Sequence, residues 1–338
     1  MIEFRRRPTI LDVAQLAGVS TGTVSNVIGN PSRVRPQTRS RVESAIAQLG
    51  FRPNQIARSL TRQRSQVVGM IVPDVGNPYF AELLVEIERR FEAAGYAVVF
   101  GNSHQSCAAQ RRYLEGFQER QVDGLVIVVA PETDIAELES AGRETPLILV
   151  DRTVPGWRGD QVVGDDEEGM ELVVEHLVQL GHRRIALLNG DREVSTARRR
   201  LLGFEAALAR RGLHPLFTSD GGFTIDSGLA QASRLFELES PPTAICAAND
   251  LLALAAMTAA AGRGVKVPEQ MSIVGYDDMS YARLVSPGLT TVRQGTDRIG
   301  MAAAELLIER LRETRSEPCS VVIRPELVVR GSTGPPSA

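Results

Sequence analysis

Apolar residues recur at helical spacing in the first fifty residues of the chain. Four of them, from Ile10 to Ala17, stand at i, i+3, i+4 and i+7, which predicts a short helix with one buried face. Thr9, followed three residues later by Asp12, is typical of a capped helix start, and Gly18 suits a left-handed helix end. The pattern therefore predicts a first short helix that stops at a glycine.

Two further helices are predicted after this glycine. Ser20 is placed to cap a second helix, whose apolar face runs from Val24 to Ile28. Pro36 suits the first position of a third helix, which an apolar stripe extends to Gly50. Because two short helices joined by a glycine-containing turn form a helix-turn-helix, the pattern predicts a three-helix DNA-binding head.

The charge distribution supports nucleic acid as the partner of this head. Residues 1–64 carry eleven arginines against three acidic residues, a net charge of +8, whereas the whole chain carries −3. A basic head on an acidic body indicates a nucleic-acid-binding domain joined to another domain. Small and polar side chains on the second helix suit base edges. The head residues predicted to contact DNA are Thr9, Ser20, Thr21, Gly22, Thr23, Ser25, Asn26 and Arg33.

Two other interpretations of the head compete with this one. It could be an ordinary helical bundle whose basic face is only solvated. The stretch from Gly18 to Gly22 also matches the G-x-S-x-G nucleophile elbow of hydrolases, which needs a buried strand before the serine. A predicted helix precedes Ser20 instead, and helix capping accounts for this serine, so the elbow is rejected.

From Gln66 onward, short β-branched runs alternate with amphipathic stretches. A first set predicts strands at 67–72, 97–100, 125–129 and 147–150, with helices at 80–94, 108–119 and 135–141. A second set predicts strands at 185–188, 244–246 and 272–274, with helices at 165–180, 196–211, 225–236, 250–261 and 298–311. Alternating strands and helices predict parallel sheets covered on both faces, so the body is expected to form two doubly wound α/β lobes.

Ligands of such sheets bind beyond the carboxyl ends of the strands, which places a site in the cleft between the lobes. Carboxylates, amides and a guanidinium there could hydrogen-bond a polyhydroxylated ligand. For any single residue, such as Asn77 or Asn249, helix capping is the competing explanation. The candidates at the predicted strand ends are 74–80, Asn102, Ser103, Asp151, Arg152, 189–200, Asn249, Asp250 and 276–278.

Composition excludes several classes of protein. No stretch approaches the roughly 20 apolar residues of a membrane span, and no apolar segment of a signal peptide follows the N-terminal arginines. The three widely spaced cysteines predict reduced thiols rather than a disulfide framework or a zinc site. Nucleotide-binding and metalloprotease motifs are missing from the sequence. We therefore expect a cytoplasmic protein that is not an enzyme, with no membrane partner, metal or cofactor.

Long ordered motifs resemble the lactose-repressor (LacI–GalR) family of bacterial transcription regulators. The head and hinge of that family are similar to TILDVAQLAGVSTGTVSNVIGN and RVRPQTRSRVESAIAQLGFRPNQIARSL. The similarity continues through VVGMIVPDVGNPYFAELLVEIE, EHLVQLGHRRIALLNG, AICAANDLLALAAM and MSIVGYDDM, and it covers nearly the whole chain. It implies a repressor that binds a pseudo-palindromic operator as a homodimer. Its body would be of periplasmic-binding-protein type, with operator affinity controlled by a small molecule in the cleft.

The resemblance also selects effector-binding residues. Arg200 and Asp277 match the family positions that grip the effector from opposite sides, and Asn249 matches the asparagine typical of sugar-responsive members. The full set expected to bind the effector is Tyr79, Phe80, Thr196, Arg200, Phe223, Asn249 and Asp277. We expect a sugar or sugar phosphate, with a purine or another metabolite as the alternative. A sugar-binding protein or an enzyme on the same fold is the remaining alternative.

The linker between head and body is implied to be a hinge helix. Its expected DNA contacts are Asn54, Gln55, Ala57, Arg58 and Leu60, with the leucine wedged between base steps. By composition alone this stretch would be a plain linker. We predict a head at 1–52, a hinge at 53–64 and an effector-binding and dimerisation domain at 65–338. Within this domain the N-lobe is expected at about 65–162 and 292–320, and the C-lobe at about 163–291 and 321–332.

Two local departures refine these expectations. The recognition helix has Asn26 where the family usually has arginine, so the operator is expected to differ from the common family sequence. The tail after Val329 contains no leucine heptad, which favours a dimer over a tetramer.

Overall fold

The computed structural model describes residues 8–51 and 64–337 of the 338-residue chain. The chain forms two compact units, one up to Gln66 and one from Val67 onward. Each has its own buried apolar core. The predicted hinge contacts lie outside the described residues; these are Asn54, Gln55, Ala57, Arg58 and Leu60.

The head unit contains the three predicted helices, α1 (Ile10–Ala17), α2 (Thr21–Gly29) and α3 (Pro36–Leu49). The N–H of Thr9 donates to the Asp12 carboxylate at 2.7 Å, which completes the predicted capping box. The Ser20 hydroxyl accepts from the N–H of Thr23 at 3.1 Å and so caps α2. Since Ser20 follows helix α1 and not a strand, its role as a helix cap is confirmed.

Three valines, Val13, Val24 and Val42, are fully buried where the head helices meet. Each helix therefore contributes one side chain to the centre of this small core. Ile10 was predicted on the buried face of α1 but is 36% exposed. As the first residue of the helix, it lies at the margin of the core.

The N-lobe is a six-stranded parallel sheet with the order β2-β1-β3-β4-β5-β11. Its strands are β1 (Val67–Val72), β2 (Ala97–Asn102), β3 (Gly124–Ile127), β4 (Leu147–Val150), β5 (Asp160–Gly164) and β11 (Ser320–Ile323). Its helices are α4 (Pro78–Ala93), α5 (Cys107–Glu119), α6 (Ile135–Glu144) and α11 (Thr296–Leu311). Helices α4 and α11 share one apolar cluster with the sheet, and α5 and α6 share another, so both faces are covered.

The C-lobe repeats this arrangement with the order β7-β6-β8-β9-β10-β12, in which only the edge strand β12 is antiparallel. Its strands are β6 (Ile185–Leu188), β7 (Phe217–Ser219), β8 (Ala244–Ala247), β9 (Ser272–Asp277), β10 (Thr290–Arg293) and β12 (Glu326–Val328). Its helices are α7 (Asp166–Gln179), α8 (Ser195–Ala209), α9 (Ile225–Phe236) and α10 (Asp250–Gly262). Two doubly wound lobes are thus confirmed.

The strand order reverses once in each lobe, between β1 and β3 and between β6 and β8. At such a point the two loops leaving the sheet run in opposite directions and open a crevice at the carboxyl ends of the strands. The fold therefore supplies one crevice in each lobe for a ligand.

The predicted lobe boundaries require correction by a few residues. Strand β5 extends the N-lobe to Gly164, and β10 keeps the chain in the C-lobe as far as Arg293. Strand β11, of which residues 321–323 were assigned above to the C-lobe, pairs with β5 in the N-lobe sheet, with Ser320 opposite Gln161. The chain consequently crosses between the lobes after β5, after β10 and after β11.

Five strands, β5, β7, β10, β11 and β12, were not predicted. Each has only three to five residues, and β5 and β10 include polar side chains such as Asp160 and Thr290. Sheet pairing stabilises these segments where their own pattern is too short to indicate a strand.

Candidate functional site

The recognition helix α2 presents the predicted polar surface. Thr21, Gly22, Ser25 and Asn26 are exposed on it, on the side opposite the buried valines. Thr9, Ser20 and Thr23 are engaged in caps, since the Thr23 hydroxyl also lies 3.0 Å from that of Ser20. Arg33 is exposed in the short 3-10 turn after α2. The head therefore exposes small hydrogen-bonding groups on α2 and a cation in the turn after it.

All seven residues expected to bind the effector line one cavity between the lobes. Tyr79 and Phe80 begin α4 of the N-lobe, while Thr196 and Arg200 lie in the first turns of α8 in the C-lobe. The other lining residues are Asn77, Asp151, Arg152, Phe223, Asn249, Asp277 and Gln294. The cavity has a free volume of about 20 Å³, little more than one water molecule requires. Side chains of the two lobes therefore fill most of the space between them, and the lobes are in a closed arrangement.

Arg200 is the cationic centre of this cavity and is almost completely buried. Its Nε donates to Asp166 Oδ1 at 2.8 Å and its Nη1 to the carbonyl oxygen of Ala248 at 2.5 Å. Its guanidinium carbon lies 3.8 Å from the centre of the Tyr276 ring, and its Nη1 lies 3.7 Å from Asp277 Oδ1. Burial raises the pKa of Asp166 to about 6, although Arg200 lowers it. Arg200 thus has partners already and reaches the ligand space as a fixed cation.

Asp277 ends β9 with a backbone φ of +117°, a conformation that a non-glycine residue adopts only when its surroundings enforce it. Gln294 Nε2 donates to its Oδ1 at 2.6 Å. Burial raises the pKa of Asp277 well above its ordinary value, and Arg200 offsets only part of this rise. Gln294, which lies on a connection between the lobes, therefore holds the carboxyl group of Asp277 in place.

The N-lobe side of the cavity contains an aromatic pair and a second buried arginine. The Tyr79 hydroxyl donates to Asp151 Oδ1 at 2.8 Å, and the Tyr79 and Phe80 rings meet edge to face at 5.2 Å. Arg152 donates through Nη1 to Gln105 Oε1 at 2.8 Å, and its guanidinium lies 5.6 Å from the Phe80 ring centre. Burial lowers the pKa of Arg152 to about 10. A second cavity of about 140 Å³ lies beside Arg152.

Asn249 caps a helix, which was the competing explanation for it. Its Oδ1 accepts from the N–H of Leu252 at 2.9 Å and caps α10. Its Nδ2 is buried and has no hydrogen-bond partner among the described residues. One end of the carboxamide therefore holds the helix, and the other end is unpaired within the described part of the chain.

Sequence reasoning missed several residues around the cavity. Asn77, Asp151 and Arg152 were among the strand-end candidates but were not selected, and Gln294 was not considered because β10 was not predicted. Asp250 supports the site from behind: it accepts from Thr291 Oγ1 at 2.5 Å and from the N–H of Met279 at 2.8 Å. Burial raises the pKa of Asp250 to about 7. The feature that could have identified Gln294 is its position directly after the end of β10.

Cys107, Cys246 and Cys319 are free thiols, as predicted. Within residues 8–51 and 64–337, no helix combines the length and apolar character needed to span a bilayer. The same part of the chain contains no group of three histidine, cysteine or acidic side chains that could hold a metal ion.

Comparison with known families matches both units of the chain. Residues 9–54 match the family described as bacterial regulatory proteins, lacI family. Residues 174–333 match the periplasmic binding protein-like domain. The two matches agree with a helix-turn-helix head and two α/β lobes.

Individual relatives extend over nearly the whole chain. The HTH-type transcriptional repressor PurR of Photobacterium profundum is 35% identical over 327 residues, which are 96% of this chain and 98% of that protein. The lac repressor dimer bound to operator and the anti-inducer ONPF has a TM-score of 0.89 and 29% identity, with 97% of this chain and 100% of that one covered. A complex of the transcriptional regulator CelR with cellobiose has a TM-score of 0.73 and 32% identity, with 96% and 100% covered.

These matches, together with the exposed recognition helix and the closed cavity between the lobes, identify the chain. It belongs to the lacI family of bacterial regulatory proteins and is a DNA-binding transcriptional repressor.

Proposed function

We propose that a small planar ligand of the purine type controls this repressor from the cavity between the lobes. The observation that carries this proposal is the pair Phe80 and Phe223, which line one cavity from opposite lobes. Aromatic rings on both sides favour a flat ring stacked between them. This reverses the preference for a sugar drawn from the sequence, where the two rings could not be placed together.

Polar groups around the rings suit the edge of a heterocycle. Arg200 supplies N–H donors to ring nitrogen or carbonyl oxygen, and the carboxyl group of Asp277, 3.7 Å from Arg200 Nη1, supplies acceptor oxygens. Asn249 adds the free Nδ2 donor. Because these groups are fixed and buried, they discriminate between ligands by leaving unmatched groups unpaired.

Binding would control the distance and angle between the lobes. Both lobes contribute to the cavity, and two hydrogen bonds join them directly: Thr153 N–H to Ser195 Oγ at 3.0 Å, and Ser280 N–H to Glu82 Oε1 at 3.0 Å. The cavity is too small for a heterocycle, so the ligand must bind a more open arrangement of the lobes or displace a side chain. A ligand that favours one arrangement shifts the population toward it.

On DNA, we propose that α2 reads the major groove through Thr21, Gly22, Ser25 and Asn26, with Arg33 on the phosphates. Asn26 is suited to adenine, which a carboxamide can contact through two hydrogen bonds. The capped Thr9, Ser20 and Thr23 would hold the helix ends against the backbone. Residues 53–64 are proposed as the hinge that links the head to the lobes, with Leu60 as its wedge.

A homodimer is the proposed assembly, and the operator is proposed to be pseudo-palindromic. Apolar side chains are exposed on the lobes, including Phe100 at 52% and Tyr281 at 51%. Phe100 lies on β2, the edge strand of the N-lobe sheet, where a second copy could cover it. The repressor is further proposed to act in the cytoplasm, without enzymatic activity, as its reduced thiols and DNA target suggest.

A sugar is the second candidate effector, and two observations favour it. The free Nδ2 of Asn249 and the carboxyl group of Asp277 could each bind a hydroxyl group. The similar structure of CelR is that of a CelR–cellobiose complex. A single aromatic ring beneath a sugar would then suffice, and the second ring would have no stacking role.

A thermal-shift panel separates these candidates. We expect hypoxanthine, guanine or adenine to raise Tm by several degrees at about 100 times Kd, because a ligand bound only by the native state adds about 2.7 kcal/mol. Phe80→Leu should reduce the shift with bases, since it keeps bulk but removes a stacking face. Arg33→Ala, in the head, serves as the control and should keep the full shift. A shift with cellobiose and none with bases would favour the sugar, and no shift with either would contradict both.

A further inference from the structure

The C-lobe contains a buried carboxamide that neither the fold nor the closed cavity explains. Asn189 directly follows β6, its side chain is fully buried, and both Oδ1 and Nδ2 lack a hydrogen-bond partner among the described residues. Its backbone is fully paired, since its N–H donates to Ser219 O at 3.0 Å and its carbonyl accepts from Gln231 at 3.1 Å. Burying an amide without hydrogen-bond partners destabilises the fold, so the presence of an asparagine at this position requires an explanation.

Asn189 lies at the point where the strand order of the C-lobe reverses. The N–H of Ala248 donates to the carbonyl of Leu188 at 2.8 Å, which places the ends of β6 and β8 side by side. Asn249, with its unpaired Nδ2, is the next residue after Ala248, whose carbonyl also accepts from Arg200. The unpaired carboxamide of Asn189, the unpaired Nδ2 of Asn249 and the buried guanidinium thus lie beside the crevice where this fold class binds ligands.

The aromatic ring of Phe223 covers this crevice. It occupies the space above the Gly190 backbone so closely that a β-carbon on Gly190 would overlap the ring. Phe223 is only half-buried and belongs to the loop between β7 and α9, whereas Tyr79, Phe80 and Arg200 are fixed on helices. Among these side chains, Phe223 can move at the least cost when a ligand enters a cavity of about 20 Å³.

We propose that Asn189 is a specificity-determining contact for the effector, which Phe223 covers in the closed, ligand-free state. The entering ligand moves the ring away from the Gly190 backbone so that the ring stacks on the ligand. The ligand then donates one hydrogen bond to the carboxamide Oδ1 and accepts one from its Nδ2. Such a pair requires an adjacent donor and acceptor on the ligand. A lactam edge with neighbouring N–H and C=O provides them, and so does a vicinal diol. This inference rests on the proposed control by a cleft ligand.

Replacing Asn189 by leucine tests the assignment, because stability and affinity should change in opposite directions. Without ligand, Asn189→Leu should melt at a higher temperature than the parent, since an unpaired buried amide is replaced by an apolar side chain of similar size. Hypoxanthine, whose N1–H and C6=O form a lactam edge, should bind the full-length variant about 10- to 100-fold more weakly by calorimetry. Gln118→Leu, on α5 of the N-lobe and outside the residues that line the cavity, is the control and should bind like the parent.

A blocked ligand distinguishes direct contact from a structural role. 1-Methylhypoxanthine lacks the N1–H, so it should bind the parent chain more weakly than hypoxanthine does. The two bases should bind Asn189→Leu with about the same affinity. The two losses should therefore not add, as expected for groups that contact one another. Additive losses, or unchanged hypoxanthine affinity in Asn189→Leu, would overturn the assignment whatever happens to Tm.

Cellobiose forms the second arm of the experiment and represents the vicinal diol. If cellobiose binds the parent chain and Asn189→Leu weakens this binding about 10-fold or more, Asn189 contacts the ligand. The donor and acceptor on the ligand are then those of a diol. If a ligand binds the parent and Asn189→Leu alike, Asn189 is not a contact, although the proposed function stands. If no base or sugar binds the parent, the proposed function fails and this assignment fails with it.

Discussion

Arg200→Leu is expected to abolish effector binding at ordinary ligand concentrations and to destabilise the effector-binding unit. Arg200 forms an ion pair with Asp166 and lies close to Asp277, and all three side chains are buried. Removing one partner of a buried ion pair commonly costs about 3–5 kcal/mol, because the remaining charge is left unpaired. Loss of its contact to the ligand should cost a further 2–5 kcal/mol of binding, on the order of 30-fold to several thousand-fold in Kd.

A double variant separates the two effects of this change. Arg200→Leu combined with Asp166→Leu removes both charges, so much of the stability should return while effector binding stays lost. Calorimetry with the bound ligand and chemical denaturation of both variants provide the measurements. Normal effector affinity in Arg200→Leu would show that the cavity is not the effector site. Full stability in the single variant would show that Asp166 does not depend on Arg200.

Removal of the head is expected to produce the second large effect. A fragment of residues 67–338 keeps both lobes and their cores, so it should fold, dimerise and bind effector like the full chain. It should not bind operator, because the recognition helix and the arginines of the head are missing. The readouts are fluorescence anisotropy with labelled operator and calorimetry with effector. Operator binding by the fragment would place the DNA contacts in the lobes.

Salt provides the complementary test on the full chain. If six to ten phosphates are neutralised, operator affinity should fall by roughly 10³- to 10⁵-fold between 50 and 200 mM salt. Residues 1–64 carry a net charge of +8, and their arginines would release counterions from the DNA when they neutralise phosphates. A flat response would mean that the arginines are only a solvated surface.

The head was predicted well because its signals are local. Capping at Thr9 and Ser20, and the glycine at position 18 with a φ of +63°, are settled by neighbouring residues. The lobes were predicted from alternation, which identifies strands with a long β-branched run. Short polar strands such as β10 depend on pairing with β9, and the sequence alone does not contain that pairing.

The effector site was predicted as a region more accurately than as a set of contacts. The rule that ligands lie beyond strand ends led to Arg200, Asn249 and Asp277, which share one cavity. Gln294 was missed with its strand. Three-dimensional packing determines two features that the sequence does not show. Asn249 caps a helix through Oδ1 and keeps a free Nδ2, and the Asn189 side chain has no hydrogen-bond partner among the described residues.

The most direct test of the account is the operator affinity of the full chain with and without the ligand that most raises its Tm. The operator is selected by the chain itself from a random DNA pool, and the affinity is measured at one fixed salt concentration. We predict a change of about 5- to 150-fold in Kd at saturating ligand, the range of a coupling free energy of 1–3 kcal/mol. The same ligand should leave operator binding by Arg200→Leu unaltered. An identical Kd for the parent chain with and without saturating ligand would contradict control from the cavity between the lobes.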